Sequence, residues 1–325
     1  MTPIHEWRDV DPVVFRDIRR NAEPAVLRGL ARDWPIVRAD DPSEYLHDQG
    51  GDAAVRFMRA EPEIEGRLHY DADVRGRNFE QVEGRLDDLL TALESEARSE
   101  RPRALALQGM PAEHGVPGFA ADHPMPLAPT GVGPRLWIGN RAKVAIHHDP
   151  TENIAVVAAG RRRFTLFPPA QVGNLYMGPF HDTPAGVQVS LVHLTDPDLD
   201  RFPRFSRALQ AALVAELEPG DALYIPYQWY HHVEALEAFN VLVNYWWDAA
   251  PAGVGSPWDA MMYGLISLRL LPADQRRAWR AMFDHYVFQL DGDPAAHLPE
   301  DRRGALQRPT AEGLARMKAA LKAKL

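Results

Sequence analysis

The sequence predicts a mainly β fold, a double-sheet jelly roll with flanking helices and a helical C-terminal segment. Three observations predict it. Short apolar runs separated by turn residues recur between Leu136 and Trp247, as in two-sheet all-β cores. Helix-spaced apolar residues precede that stretch, at Leu86, Leu89, Leu90 and Leu93, and return after Pro251. The 325 residues are 46% hydrophobic, enough to bury a sizeable core.

In chain order, Val13 to Arg20 has helical spacing, and Ala25 to Leu30 reads as a strand closed by a turn. Val55 to Met58 is a second strand, and Leu86 to Ala97 a helix. Residues 109–134 are rich in proline and glycine and are expected to be loop. Asn153 to Ala159 is almost wholly apolar; Arg163 to Phe167 follows after a turn at Gly160, and Pro168-Pro169 ends the pairing. Val187 to Val192, Ala222 to Ile225 and Phe239 to Trp247 are further strands. Three apolar stripes at helix spacing follow: Trp258 to Leu265, Trp279 to Leu290, and Leu314, Met317, Leu321 and Leu325. The expected divisions are an N-terminal α/β segment (1–135) that completes the barrel, a core (136–250) and a helical segment (251–325).

Composition narrows the chemistry. A net charge of -9 argues against a nucleic-acid partner. With no cysteine, any metal site must use nitrogen and oxygen ligands. The opening residues lack a basic and apolar leader pattern, and no apolar run reaches the roughly 18 residues of a membrane span. The expected location is cytoplasmic.

His147 and Asp149 stand two apart, so an extended chain projects both from one face. One imidazole and one carboxylate are two parts of a 2-His-1-carboxylate triad of the non-haem iron type. His231, far along the chain, supplies the third. Two hydrogen-bonded histidines near a barrel mouth are the simpler alternative. His148 and His232 point the opposite way and are expected outside the ligand set. In the following strand Arg162, Phe164 and Leu166 share one face. A guanidinium there would be buried and would need an anionic partner, either a dicarboxylate ligand or an internal Asp or Glu. Asn153, Asn244 and Trp246 lie at strand positions where they either orient a ligand or serve the core.

Together these residues carry a resemblance. The runs are His147-His148-Asp149 with Asn153, Phe167-Pro168-Pro169, Leu175-Tyr176, Asp196-Pro197-Asp198 with Arg201-Phe202-Pro203, Pro219-Gly220-Asp221, Tyr224-Ile225-Pro226, Trp229, His231-His232 and Asn244-Tyr245-Trp246. They resemble the cupin-like JmjC family of Fe(II)- and 2-oxoglutarate-dependent oxygenases. The nearest resemblance is to the branch of the asparaginyl hydroxylase that inhibits hypoxia-inducible factor. The resemblance covers most of residues 15 to 250. It implies a double-stranded β-helix in which His147, Asp149 and His231 hold Fe(II), with 2-oxoglutarate and O2 as co-substrates. It also implies hydroxylation of a protein side chain or small molecule, with succinate and CO2 as co-products. Arg162 takes the place of the family's lysine for the distal carboxylate of 2-oxoglutarate. Val144 and Ala106 stand where relatives carry hydroxyl groups, so two donors are missing. Those departures leave open a metal-binding cupin without redox chemistry, binding a carbohydrate or peptide, or an isomerase-like enzyme. Helices after the barrel form a homodimer in such relatives, and the stripes after residue 257 are expected to do so here.

Overall fold

The structure is a computed structural model that describes residues 1–184, 186–251, 253–307 and 310–323. It divides into two compact units, Met1–Asp248 and Ala249–Leu325.

Two sheets build the first unit. Edge to edge, one runs β1 (Thr2–Pro3), β12 (Leu213–Leu217), β11 (Arg162–Phe167), β14 (Tyr230–Ala235), β9 (Lys143–His148) and β5 (Arg67–Leu68). The other runs β2 (Glu6–Arg8), β3 (Ala25–Arg28), β13 (Ala222–Ile225), β10 (Glu152–Ala159), β15 (Asn240–Trp247), β8 (Arg135–Gly139), β7 (Ala104–Pro111), β4 (Ala54–Ala60) and β6 (Glu80–Arg85). Sequence-distant strands pair throughout, as a jelly roll requires.

The strand patterns follow from two apolar layers. Val157, Phe164, Leu166, Leu223, Ile225, Val233 and Leu242 fill one cluster, with residues from both sheets. Ile154, Val156, Val241 and Val243, of opposite phase on their strands, join a larger cluster with Phe15, Ile18, Leu46 and the leucines of the Leu86–Ala97 helix. β10 is therefore buried on both faces along its whole length, which explains its continuous apolar run. The Leu86–Ala97 helix buries Leu86, Leu89, Leu90 and Leu93. At its start the Asp88 carboxylate accepts the Arg85 backbone N–H at 2.8 Å. Asp11 is the N-cap of the Pro12–Arg20 helix, accepting from the Val13 and Val14 N–H groups at 2.8 Å. That helix is tied to the sheet by Arg19, whose Nε and Nη2 donate to Glu152 at 2.7 and 2.5 Å. Tyr224 donates its hydroxyl to the same carboxylate at 2.8 Å.

Gly160 turns the chain from β10 into β11 with φ +69°, and a side chain there would collide with Asn240 and the Phe239 carbonyl. Gly160→Ala should destabilise the protein by more than about 1 kcal/mol, read from urea unfolding, because both the backbone angle and the space oppose a Cβ.

Two expectations need correction, and one strand was not anticipated. Residues 109–134 are not wholly loop: β7 extends to Pro111, and short helical turns cover Ala112–Gly115 and Phe119–Asp122. Their prolines and glycines separate these pieces rather than abolish them. Val187 to Val192 forms isolated bridges, from Val189 to His147 and from Ser190 to Met177, instead of a strand. The segment is held there by backbone hydrogen bonds to Ile146, Tyr176 and Gly178 and by the Ser190 side chain, which donates to the Leu175 carbonyl. β6 joins the sheet although its sequence, Glu-Gln-Val-Glu-Gly-Arg, is too polar to announce a strand; its pairing to β4 supplies the order.

The second unit contains helices Pro257–Ser267, Ala273–Tyr286 and Ala311–Lys322. Leu290 lies beyond its helix, and Leu325 is outside the described residues. Ser256 and Thr310 cap the first and third helices. None of the three helices has a buried residue. Ile266 is 75% exposed and Leu270 88%, with Met282, Phe283 and Leu290 also open. No described helix is long and apolar enough to cross a membrane.

Candidate metal centre

β9 and β14 run antiparallel and place His147 directly opposite His231. Their ring centroids are 4.2 Å apart. Asp149 follows β9, and its Oδ2 lies 3.7 Å from His231 Nε2. One ligand atom from each residue falls within 4.8 Å of the others, a group that could hold a metal ion. Among the described residues no other cluster of three such groups meets that test.

Hydrogen bonds set the tautomers. His147 Nδ1 lies 2.8 Å from the Ala145 carbonyl, and His231 Nδ1 lies 3.1 Å from the Trp229 carbonyl. A carbonyl can only accept, so each Nδ1 carries a proton, and Nε2 is the nitrogen of each ring left to face a metal. Burial, reinforced by the neighbouring His147, pushes the His231 pKa down to about 4, which keeps the ring neutral. Asp149 Oδ2 is buried with no hydrogen-bond partner. Two available imidazole nitrogens and one unsatisfied carboxylate oxygen fit a divalent cation of the nitrogen- and oxygen-binding kind.

His148 and His232 stay out of the group. His148 packs edge-on against Tyr230, with ring centroids 5.0 Å apart. His232 turns its Nδ1 towards Glu234, 3.8 Å away.

A cavity beside the cluster is lined by His147, Asp149 and His231 together with Arg162, Asn153, Asn244 and Trp246. Arg162 lies on the same face of β11 as Phe164 and Leu166, as its phase predicts. It is 7% exposed, forms no ion pair with a described residue, and its Nε has no partner. Desolvation alone drives its pKa down to about 10. Its exposed neighbours are paired instead, Arg161 with Glu237 and Arg163 with Glu216. The internal Asp or Glu allowed by the sequence is thus absent among the described residues. A larger groove on the surface beside Glu96 and Arg103 holds no comparable cluster.

Asn244 Nδ2 donates to Asn153 Oδ1 at 2.8 Å, while Asn244 Oδ1 has no partner. Trp246 stands edge-on to Trp137, with ring centroids 5.9 Å apart. Trp137 also lines the cavity and was not foreseen as a site residue. Strand alternation could have found it, since it faces away from Leu136 and Ile138. Val144 lines the cavity as well. A bulge in the β9–β14 pairing lets Val144 and His147, three apart, share a face. Ala106 sits elsewhere, in a small cluster with Met58, Leu68 and Ala142.

Similarity to known proteins agrees with this geometry. The chain is 33% identical over 115 residues to lysine-specific demethylase JMJ31 of Arabidopsis thaliana, covering 35% of this chain and 20% of that protein. It is 27% identical over 279 residues to tRNA wybutosine-synthesizing protein 5 of Danio rerio, covering 76% and 75%. It is 34% identical over 113 residues to lysine-specific demethylase 8 of Xenopus tropicalis, covering 34% and 24%. The chain thus spans about a fifth to a quarter of the two demethylases, and three quarters of the wybutosine protein. The cupin-like domain profile matches residues 12–253, which takes in every strand of the two sheets except the edge strands β1 and β2, and every residue of the His–Asp–His cluster. With two sheets closed around that cluster and the match running through nearly all of the first unit, the chain belongs to the cupin-like domain family.

Proposed function

We propose that the protein is an Fe(II)- and 2-oxoglutarate-dependent oxygenase that hydroxylates a protein side chain or small molecule. His147, Asp149 and His231 would hold the metal, and Arg162 would bind the distal carboxylate of 2-oxoglutarate. The observation that carries this reading is the buried, unpaired guanidinium facing the same cavity as the cluster. A charge so placed needs an anion, and Arg suits a carboxylate through two parallel hydrogen bonds.

Ferrous iron bound there would supply the oxidising chemistry that converts 2-oxoglutarate, O2 and a C–H substrate into succinate, CO2 and an alcohol. The chain's own part is positional. His147 and His231 would offer their Nε2 atoms and Asp149 its carboxylate to the metal, and Arg162 would offset the charge of the diacid. Phe164, Val233 and Leu242 exclude water between the two ends. Asn153, Asn244 and Trp246 wall the side nearer the metal and would orient the bound acid. The named relatives include lysine demethylases and a tRNA-modifying protein. A nucleic-acid substrate therefore stands beside the protein side chain, and the net charge of -9 favours the latter.

The test is incubation with Fe(II), ascorbate, O2 and labelled 2-oxoglutarate, following succinate. Oxygen-dependent succinate release is the expected result. No release across a broad substrate panel, with no binding of 2-oxoglutarate, would sink the reading. Val144 favours a second reading, a metal-binding cupin without redox chemistry, because it offers the cavity no donor. That reading predicts that N-oxalylglycine neither binds nor competes.

We also propose that the second unit makes a homodimer, since a surface with Ile266, Leu270 and Leu290 open is unfavourable in water. Sedimentation should give a dimer for the native chain. Ile266→Glu with Leu270→Glu should shift it to monomer with the far-UV spectrum unchanged.

A further inference from the structure

The cavity has two ends, and strand registers say which residues lie at each. On β11, Leu166 pairs with His231, Phe164 with Val233 and Arg162 with Ala235. Arg162 is thus two same-face steps from the metal cluster, about 13 Å along the strand. The link from β10 to β11 is Gly160 and Arg161, so Val157 of β10 lies at the Arg162 end. Val157 pairs with Leu242 of β15, and Leu242 pairs with Trp137 of β8. Trp246 pairs instead with Asn153, further from that link. Trp137 therefore belongs to the deep end with Arg162.

That end is almost without donors. Val144, Phe164, Val233 and Leu242 present hydrocarbon. The indole N–H of Trp137 is the exception: its Nε1 is shut off from solvent and has no hydrogen-bond partner. A buried N–H in that condition requires an acceptor. Trp246 Nε1 and Trp247 Nε1 are also without one, but Trp246, which lines the cavity, pairs with Asn153 towards the metal end, and Trp247 packs in the outer cluster away from the cavity. Trp137 alone combines an unused donor with the depth of the buried cation.

We propose that the Trp137 indole N–H and the Arg162 guanidinium together bind the distal carboxylate of the co-substrate, with Trp137 donating to one carboxylate oxygen. This inference rests on the oxygenase reading above. It makes the pocket a two-residue anion clamp inside an apolar sleeve. The selected ligand is a 2-oxo acid with a second carboxylate at the far end of its chain, in preference to a 2-oxo acid ending in a methyl group.

The test is calorimetric titration of the zinc-loaded protein, native and Trp137→Phe, with 2-oxoglutarate and with 2-oxopentanoate. The second acid offers the same 2-oxo acid group and lacks the distal carboxylate. Phenylalanine keeps an aromatic filler and removes the donor. The expected result is a loss of about tenfold or more in 2-oxoglutarate affinity for Trp137→Phe, with 2-oxopentanoate affinity unchanged. Trp247→Phe should bind both acids as the native protein does. In 1H–15N spectra, the indole cross-peak absent from Trp137→Phe should move in the native protein when 2-oxoglutarate is added. Equal 2-oxoglutarate affinity in native and Trp137→Phe proteins would overturn the inference, as would an unmoved cross-peak. A matched loss for both acids would also overturn it, by assigning Trp137 a packing role. If native protein binds neither acid while Arg162 stays buried, the oxygenase reading itself falls, and this inference with it.

Discussion

Replacing Arg162 with methionine is expected to raise the unfolding temperature of the ligand-free protein and to abolish its stabilisation by 2-oxoglutarate. The guanidinium is buried without an anionic partner among the described residues. Its pKa falls from the ordinary arginine range to about 10, with desolvation the sole cause. A lowered pKa in a base means that the unfolded chain holds the proton more tightly than the native one. The penalty is therefore fully present below pH 10 and fades only as pH rises from there towards the ordinary arginine range. Apolar replacements of buried charges commonly stabilise by about 1–4 kcal/mol, or several degrees for a chain of this size. The gap between variant and native protein should be constant from about pH 6 to pH 9, since the group does not titrate there. With metal present for both proteins, adding 2-oxoglutarate should reverse the order, because only the native protein gains by binding it. A variant less stable than native without ligand would show that Arg162 is satisfied in some other way.

Asp149→Ala is expected to remove both metal binding and turnover. Asp149 is the sole carboxylate of the cluster, and its Oδ2 has no protein hydrogen bond to lose. The folded state should barely register the change, and thermal unfolding without metal should match the native protein within about 0.5 kcal/mol. Manganese affinity should fall by more than about a hundredfold, beyond what is typical for residues that only orient a ligand. Succinate release should drop to background. Retention of manganese affinity would remove Asp149 from the ligand set.

Much of this was legible because periodicity carries direction. Alternation put Arg162 with Phe164 and Leu166, and the structure places all three on one face. The same rule placed His148 and His232 outside the cluster. It breaks down at Val144, where the bulge between the His231 and Val233 pairings shifts the phase by one. It was equally blind to β6, whose polar residues gain their order from pairing with β4. The Asn153–Asn244 pair could be read only as two amides in need of partners, since the register joining β10 to β15 is non-local. Trp137 was passed over because a strand tryptophan reads as core until its N–H is seen to lack an acceptor.

The facing of His147 and His231 has one further consequence. They meet across two strands far apart in the chain, and contacts of such separation are slow to form. The apolar layers that hold those strands do not include the cluster, so the fold does not depend on a cation as small metal-folded domains do. Foldedness and chemistry are under separate control. Under the oxygenase proposal, iron scarcity would stop turnover while leaving the fold intact.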